Sequence, residues 1–214
     1  MTTPLVIPFF IPNQGCAYRC IFCDQPATIG SAGLTELTPE TIARDVTAGL
    51  QSSRLKPGRQ VEVAFYGGTF TALPVTRQTE LLSAVAPFIR SGQVHGLRLS
   101  TRPDRLSVEQ IDFLKAMGVT TVELGAQSLD DRVLAASRRG HTADQIKTAA
   151  KSLQAAGLNL GLQLLPGLPG EDQASRKMTL EAVINLCPRE VRIYPLLVLH
   201  KTVLAELYRQ GKYQ

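Results

Sequence analysis

The chain has no apolar run of the length a membrane span needs, about 18 residues or more. The apolar stretch near its start, PLVIPFFIP (4–12), is too short and carries prolines. It has neither a basic leader nor a small-residue cleavage site, so it reads as a strand and not as a signal peptide. Cysteine is scarce too: four residues, three of them within eight positions, which excludes the spread, even framework of a secreted disulfide domain. A cytoplasmic protein without a membrane partner is expected. Charge of either sign is thin on the ground. The net charge is +5 and the pI about 9.2, with the densest basic cluster only SRRGH (137–141). That permits RNA or another anionic partner without demanding one. Low-complexity stretches and linkers are lacking. The 214 residues, 44% hydrophobic, therefore suit one domain, 1–214, around one core.

What is there is alternation. Strand-like runs fall at 5–11, 61–66, 97–101, 121–125, 158–165 and 191–198. Helical patterns fall between them: 39–53 opened by Thr38, 76–89, 108–117 capped by Ser107 and stopped by Gly118, 130–136, 143–156 between Thr142 and Gly157, and 173–186. A further helical pattern, 200–209, has no strand after it. Strands joined by helix-bearing crossovers predict an α/β fold with a parallel sheet, and apolar strands suggest that both faces are covered. An eight-fold barrel takes about 250 residues, and six βα units suit this length better. In such folds function gathers at the carboxyl ends of the strands. Each unusual motif sits at such an end: the cysteines after strand one, YGGTF (66–70), STRPD (100–104), ELGAQS (123–128), LPGLPGE (165–171) and, as strand six, IYPLLVL (193–199).

The cysteines lie in GCAYRCIFCDQ (15–25) as Cys16, Cys20 and Cys23. Thiolates hold zinc or iron–sulfur clusters, and a closed zinc site wants four ligands. Cys187, before Pro188 at a helix end, reads as a small buried apolar residue, and His95 and His141 are remote in sequence. Three ligands point to a site left open. A 4Fe–4S cluster on three cysteines leaves one iron free for a substrate or cofactor, while a zinc or redox thiol site remains the alternative.

CxxxCxxC with Phe22 before its last cysteine resembles the signature of the radical S-adenosylmethionine (SAM) superfamily. The resemblance implies a partial (β/α)6 TIM-like barrel, a 4Fe–4S cluster on Cys16, Cys20 and Cys23, and SAM chelated by the open iron. It also implies an electron donor such as a flavodoxin or ferredoxin. Gly67 and Gly68 occupy the place of the family's glycine pair, where bare backbone can approach the methionine amino group; Thr69 stands where an acidic residue is common. VELGAQSLDDRVLAASRRGHT (122–142) is similar to a stretch shared by the elongator catalytic subunit and the oxygen-independent coproporphyrinogen III oxidases. STRPD and RIYPLLVLHKTVLAELYRQGKY (192–213) favour the elongator-like branch.

By that likeness Gln127 would contact the ribose and Arg139 the methionine carboxylate; the plain alternative for Arg139 is a solvated helix-end charge. Ser100 and Gln163 fall where the oxidases carry ribose-binding acids, and both are neutral here. Glu123 would face the cofactor or serve as a structural partner. LPGLPGE would turn beneath the adenine, between Phe22 and the strand-six backbone near Tyr194.

The implied activity is reductive SAM cleavage to a 5′-deoxyadenosyl radical that modifies a base in tRNA. Phosphates would be held by Arg102, Arg105, Arg138, Lys201, Arg209 and Lys212. Radical chemistry on a small metabolite or tetrapyrrole is the second reading, and a non-catalytic iron–sulfur or zinc module the third. The elongator subunit spaces its cysteines differently and carries an acetyltransferase domain for which this chain has no room. A core that is a fragment of a longer enzyme is therefore expected.

Overall fold

A computed structural model describes residues 4–17, 19–30, 36–52 and 56–214. Six strands, β1 (Leu5–Phe10), β2 (Val61–Tyr66), β3 (Gly96–Thr101), β4 (Val119–Gln127), β5 (Asn159–Leu164) and β6 (Glu190–Ile193), lie side by side in chain order. Every neighbouring pair is parallel. With helices on its outside the sheet curls into a half-barrel, the partial TIM-like architecture expected. Its edges are β1 and β6, and β1 accommodates Pro8, exposed on an edge strand where its missing N–H breaks no ladder.

The helices are α1 (Gln25–Ile29), α2 (Pro39–Leu50), α3 (Val75–Arg90), α4 (Val108–Ala116), α5 (Asp131–Ala136), α6 (Ala143–Ala155), α7 (Gln173–Leu186) and α8 (Val203–Arg209). Thr38, Ser107 and Thr142 cap α2, α4 and α6, each side chain accepting a backbone N–H of the first turn. The α2 pattern was expected to run to 53; α2 ends at Leu50, and residue 53 lies outside the described residues. Helix α1, too short for periodicity to show, was missed, although Asp24 as N-cap and Pro26 in the first turn mark its start.

Two strand expectations need correction. β4 runs from Val119 to Gln127, longer at both ends than the apolar run 121–125; its pairing skips a residue against β3 near Val119 and shifts against β5 between Leu124 and Gln127. β6 stops at Ile193, so the apolar run to 198 continues without strand pairing; Tyr194 N–H still reaches the Leu164 carbonyl at 2.9 Å.

The apolar reading of the strands holds for one face only. Outward residues such as Val63, Leu97, Leu99, Val122 and Leu160 are buried beneath the helices and form the main core. The inward face carries Glu62, Arg98, Glu123, Gln163, Glu190 and Arg192, which ion-pair or hydrogen-bond to one another. Arg98 meets Glu62 at 3.0 Å, Glu123 at 3.4 Å and Glu190 at 2.7 Å. Gly161 makes room for this, since a Cβ there would stand 2.8 Å from Glu123 Cγ. Removing one member would leave a buried charge uncompensated, at a cost of about 3–5 kcal/mol.

Candidate active site

The loop between β1 and α1 carries the cysteines across the carboxyl ends of the strands. It is anchored backbone to backbone: Ile11 N–H donates to the Tyr66 carbonyl at 2.8 Å, and Thr69 N–H to the Gln14 carbonyl at 2.7 Å. Gly68 lets the two segments touch. Its φ is +58°, and a Cβ there would stand 2.3 Å from the Gln14 oxygen, so no other residue fits. Gln25, which the sequence reading did not single out, ties the same point from the other side. Its Oε1 accepts from Asn13 N–H at 2.5 Å and from Gly68 N–H at 3.0 Å. The glycine pair is thus at the cavity wall, but the Gly68 N–H is already bonded within the protein.

Above the polar floor opens a cavity of about 600 Å³ lined by Cys16, Cys20 and Cys23 together with residues of every strand end. Phe22, Gly67, Ser100, Gln127, Arg139, Gln163 and Tyr194 line it as well. The β-bulge before Gln127, whose φ is +70°, turns that side chain into the cavity. Glu123 is not on the wall. It is fully buried below, where Tyr66 Oη and Gln163 Nε2 each donate to it at 2.9 Å and Arg192 Nε pairs with it at 3.0 Å. All its acceptor capacity is engaged, so the contact with the cofactor is corrected to the structural role. Gln163 reaches the wall, but its amide is partly spent on Glu123.

Arg139 is not a solvated helix-end charge. It is buried, Nη1 donates to Cys20 Sγ at 2.9 Å and Nη2 to the Gly125 carbonyl, while Nε finds no protein partner among the described residues. Cys16 Sγ shares a hydrogen bond with Thr69 Oγ1 at 3.4 Å. Burial pushes the Cys23 thiol up to about 11, with Cys20 and Cys16 adding to it and Arg139 opposing. Cys187 departs from expectation. It is exposed at the left-handed C-cap of α7, outside the residues lining this cavity, because the chain must turn there before Pro188.

Arg102 is likewise corrected as a phosphate contact: it is buried and holds Asp104 through two bonds of 2.9 and 3.2 Å. Arg105, Arg138, Lys201, Arg209 and Lys212 are exposed, though Arg209 pairs with Glu206 at 2.8 Å. Arg19, exposed and on the cavity rim, belongs beside them and was missed because it lies inside the cysteine motif.

Residues 10–183 match the radical SAM superfamily. The chain belongs to this superfamily. Radical SAM proteins are enzymes that depend on a 4Fe–4S cluster and SAM. Over 247 residues the chain is 29% identical to a tRNA uridine(34) acetyltransferase of Methanocaldococcus jannaschii, with 98% of this chain and 45% of the relative covered. It is 26% identical over 207 residues to the heme chaperone HemW of Synechocystis, covering 92% of this chain and 48% of that one. Among solved structures, the archaeal Methanocaldococcus infernus Elp3 with an N-terminal deletion superposes with a TM-score of 0.73 at 24% identity, over 98% of this chain and 50% of that one. The chain thus spans about half the length of the relatives it matches.

The site fits the radical SAM cofactors. Three thiols face one cavity, and an arginine donates to the sulfur of one of them. Burial first, and then the neighbouring Cys20 and Cys16, oppose ionisation of Cys23, which is the charge pattern a cationic cluster relieves. A buried donor, Arg139 Nε, is left without a partner within the protein. Among the described residues no three thiol, imidazole or carboxylate groups stand where one ion could take them all, so the three thiols would have to bind separate irons of a cluster.

Proposed function

We propose that residues 1–214 form one radical SAM core domain in which Cys16, Cys20 and Cys23 hold the 4Fe–4S cluster, and that this enzyme modifies a base in tRNA. When bound and reduced, the cluster supplies the electron that cleaves SAM to methionine and a 5′-deoxyadenosyl radical. The observation that carries the reading is the Arg139–Cys20 contact inside a cavity lined by all three thiols. Arg139 has work on both sides: it stabilises a ligand thiolate and keeps its Nε for an anion such as the methionine carboxylate. Gln127 and Ser100 offer neutral hydrogen-bonding groups to hydroxyls. Phe22 and Tyr194 border the cavity as two aromatic walls for the adenine. The polar floor of Glu123, Arg192 and Tyr66 fixes the strand ends from below. A flavodoxin or ferredoxin is the proposed electron donor.

The tRNA substrate is supported by the elongator-like relatives and by the exposed cations Arg19, Arg105, Arg138, Lys201 and Lys212. An enzyme acting on a base must bring that nucleotide out of its stack and hold the backbone electrostatically. The test is anaerobic reconstitution followed by titration with total tRNA at two salt concentrations, and deoxyadenosine production with and without that RNA. About four irons per chain, binding that weakens steeply with salt, and RNA-stimulated SAM cleavage are expected. SAM cleavage with no salt-sensitive RNA binding would redirect the substrate to a small molecule such as a tetrapyrrole.

A further inference from the structure

Helix α8 had no strand after it and no evident purpose in the sequence; the structure docks it on the cysteine motif. Leu204 N–H donates to the Ile21 carbonyl at 2.9 Å, and Ile21 N–H donates to the Ser137 carbonyl at 3.3 Å. Ile21 lies between Cys20 and Cys23, so the motif's second half is gripped through the two peptide groups on either side of one residue. One grip comes from the end of α5, two residues before Arg139, and the other from the first turn of α8. Leu204 is fully buried, and Thr202 caps α8 by accepting the Ala205 N–H at 3.1 Å. The segment is fixed at two more points on the same rim. Leu196 packs with Phe22 on a small cluster of Val133, Leu165 and Leu168, and Tyr213 Oη donates to the Gly167 carbonyl at 2.6 Å.

We infer that α8 is a positioning element for the cysteine loop, with Leu204 its central residue. Ordering an irregular loop costs conformational entropy, and ligands already held in place spare that cost when metal binds. The loop's first half is held by Gly68 and Gln25; its second half has these two Ile21 bonds, and one of them depends on the C-terminal segment. Leu204 is not among the residues lining the cavity and its N–H bonds the Ile21 carbonyl, so it acts through Ile21. The inference rests on the cluster reading only for the role of the loop as ligand carrier.

The test uses the full chain, first without iron. Trypsin cuts after the exposed Arg19, inside the loop, and the cutting rate reports how often the loop opens. Leu204→Ala should be cut there about tenfold faster than wild type or more, since it empties the fully buried site that seats the first turn of α8, from which the Ile21 bond comes. Val46→Ala, a fully buried site on α2, is the control for general loosening, and Leu204→Met should restore near-wild-type cutting. Should Leu204→Ala fail to fold, Tyr213→Phe removes one hydroxyl bond of the same segment and should raise the rate about threefold. After reconstitution, a chelator should strip iron from Leu204→Ala about tenfold faster than from Val46→Ala. Equal Arg19 cutting in the Leu204 and Val46 variants, or an unchanged rate in Tyr213→Phe, overturns the inference. A wild type that takes up no iron overturns the cluster reading instead, and the cutting rates still decide the role of Leu204.

Discussion

Arg139 Nη1 lies 2.9 Å from Cys20 Sγ, joining residues 119 apart in sequence. The same guanidinium holds the Gly125 carbonyl through Nη2, so its plane is fixed by two partners that lie in different segments. A lysine could make one of these bonds but not both with the fork's geometry. Arg139→Ala should therefore weaken SAM binding about tenfold to a hundredfold, the size of one lost charge-assisted bond, and Arg139→Lys should recover little of it. Isothermal titration of the reconstituted protein measures this; an affinity unchanged in Arg139→Ala would confine Arg139 to holding Cys20.

Iron content separates the four cysteines. Replacing Cys16, Cys20 or Cys23 by Ala should leave the reconstituted protein nearly free of iron, whereas Cys187→Ala should keep about four irons per chain. Cys187 is exposed on α7, outside the residues lining the cavity, so nothing about the cluster should depend on it. Loss of iron in Cys187→Ala would mean that the site is closed by a fourth thiolate after all.

Most of the fold was legible because strand and helix periods alternate without interruption and several caps are spelled out, as at Thr38, Ser107 and Thr142. The cysteines and the strand-end motifs located the cavity for the same reason: in a parallel sheet those ends share one side. What stayed hidden depends on contacts that no local pattern encodes. Glu123 reads as a cofactor residue until Tyr66, Gln163, Arg98 and Arg192, from four other strands, are seen to consume its carboxylate. Arg102 looks free until Asp104, two residues on, folds back onto it. Gln25 accepts from two distant backbone N–H groups and Leu204 donates through its own backbone, and neither partnership leaves a local pattern in the sequence.

Gln25 offers a stability test of that kind. Its one oxygen takes two N–H groups, from Asn13 and Gly68, at the junction of the cysteine loop with β2. Gln25→Leu keeps the bulk and removes the acceptor, orphaning both donors at about 1–3 kcal/mol each. Urea unfolding of the iron-free protein should show a loss of about 2–6 kcal/mol, and Gln25→Glu, which retains an acceptor, should lose clearly less. Gly68→Ala should be worse than either, because the positive φ and the Gln14 carbonyl leave its Cβ no room. Equal stabilities for the Leu and Glu variants would remove the hydrogen bonds from the explanation.

The last prediction concerns acid. His141 is buried beside Arg139 and Arg102, and no side chain gives either ring nitrogen a hydrogen bond among the described residues. Burial, then the charges of Arg139 and Arg102, push its imidazole down from 6.5 to about 3, against a weaker pull from Asp104, whose Oδ1 is 3.8 Å away. In the unfolded chain the same imidazole takes up its proton near 6.5. The folded pKa is the lower of the two, so the stabilising contribution is fully present above 6.5 and is lost as pH falls toward 3. Within that window the unfolded state holds one more proton, and stability falls by about 1.4 kcal/mol for each pH unit from this residue alone. Between pH 6.5 and 5 that amounts to about 2 kcal/mol. His141→Leu removes the titrating group and keeps an apolar body in the site, so its urea-unfolding free energy should fall by about 2 kcal/mol less than wild type over the same interval. Carboxylates titrate in both proteins and cancel in that difference. Parallel pH profiles for the two proteins would show that His141 is protonated alike in the folded and unfolded chain, and would refute its neutral burial beside Arg139.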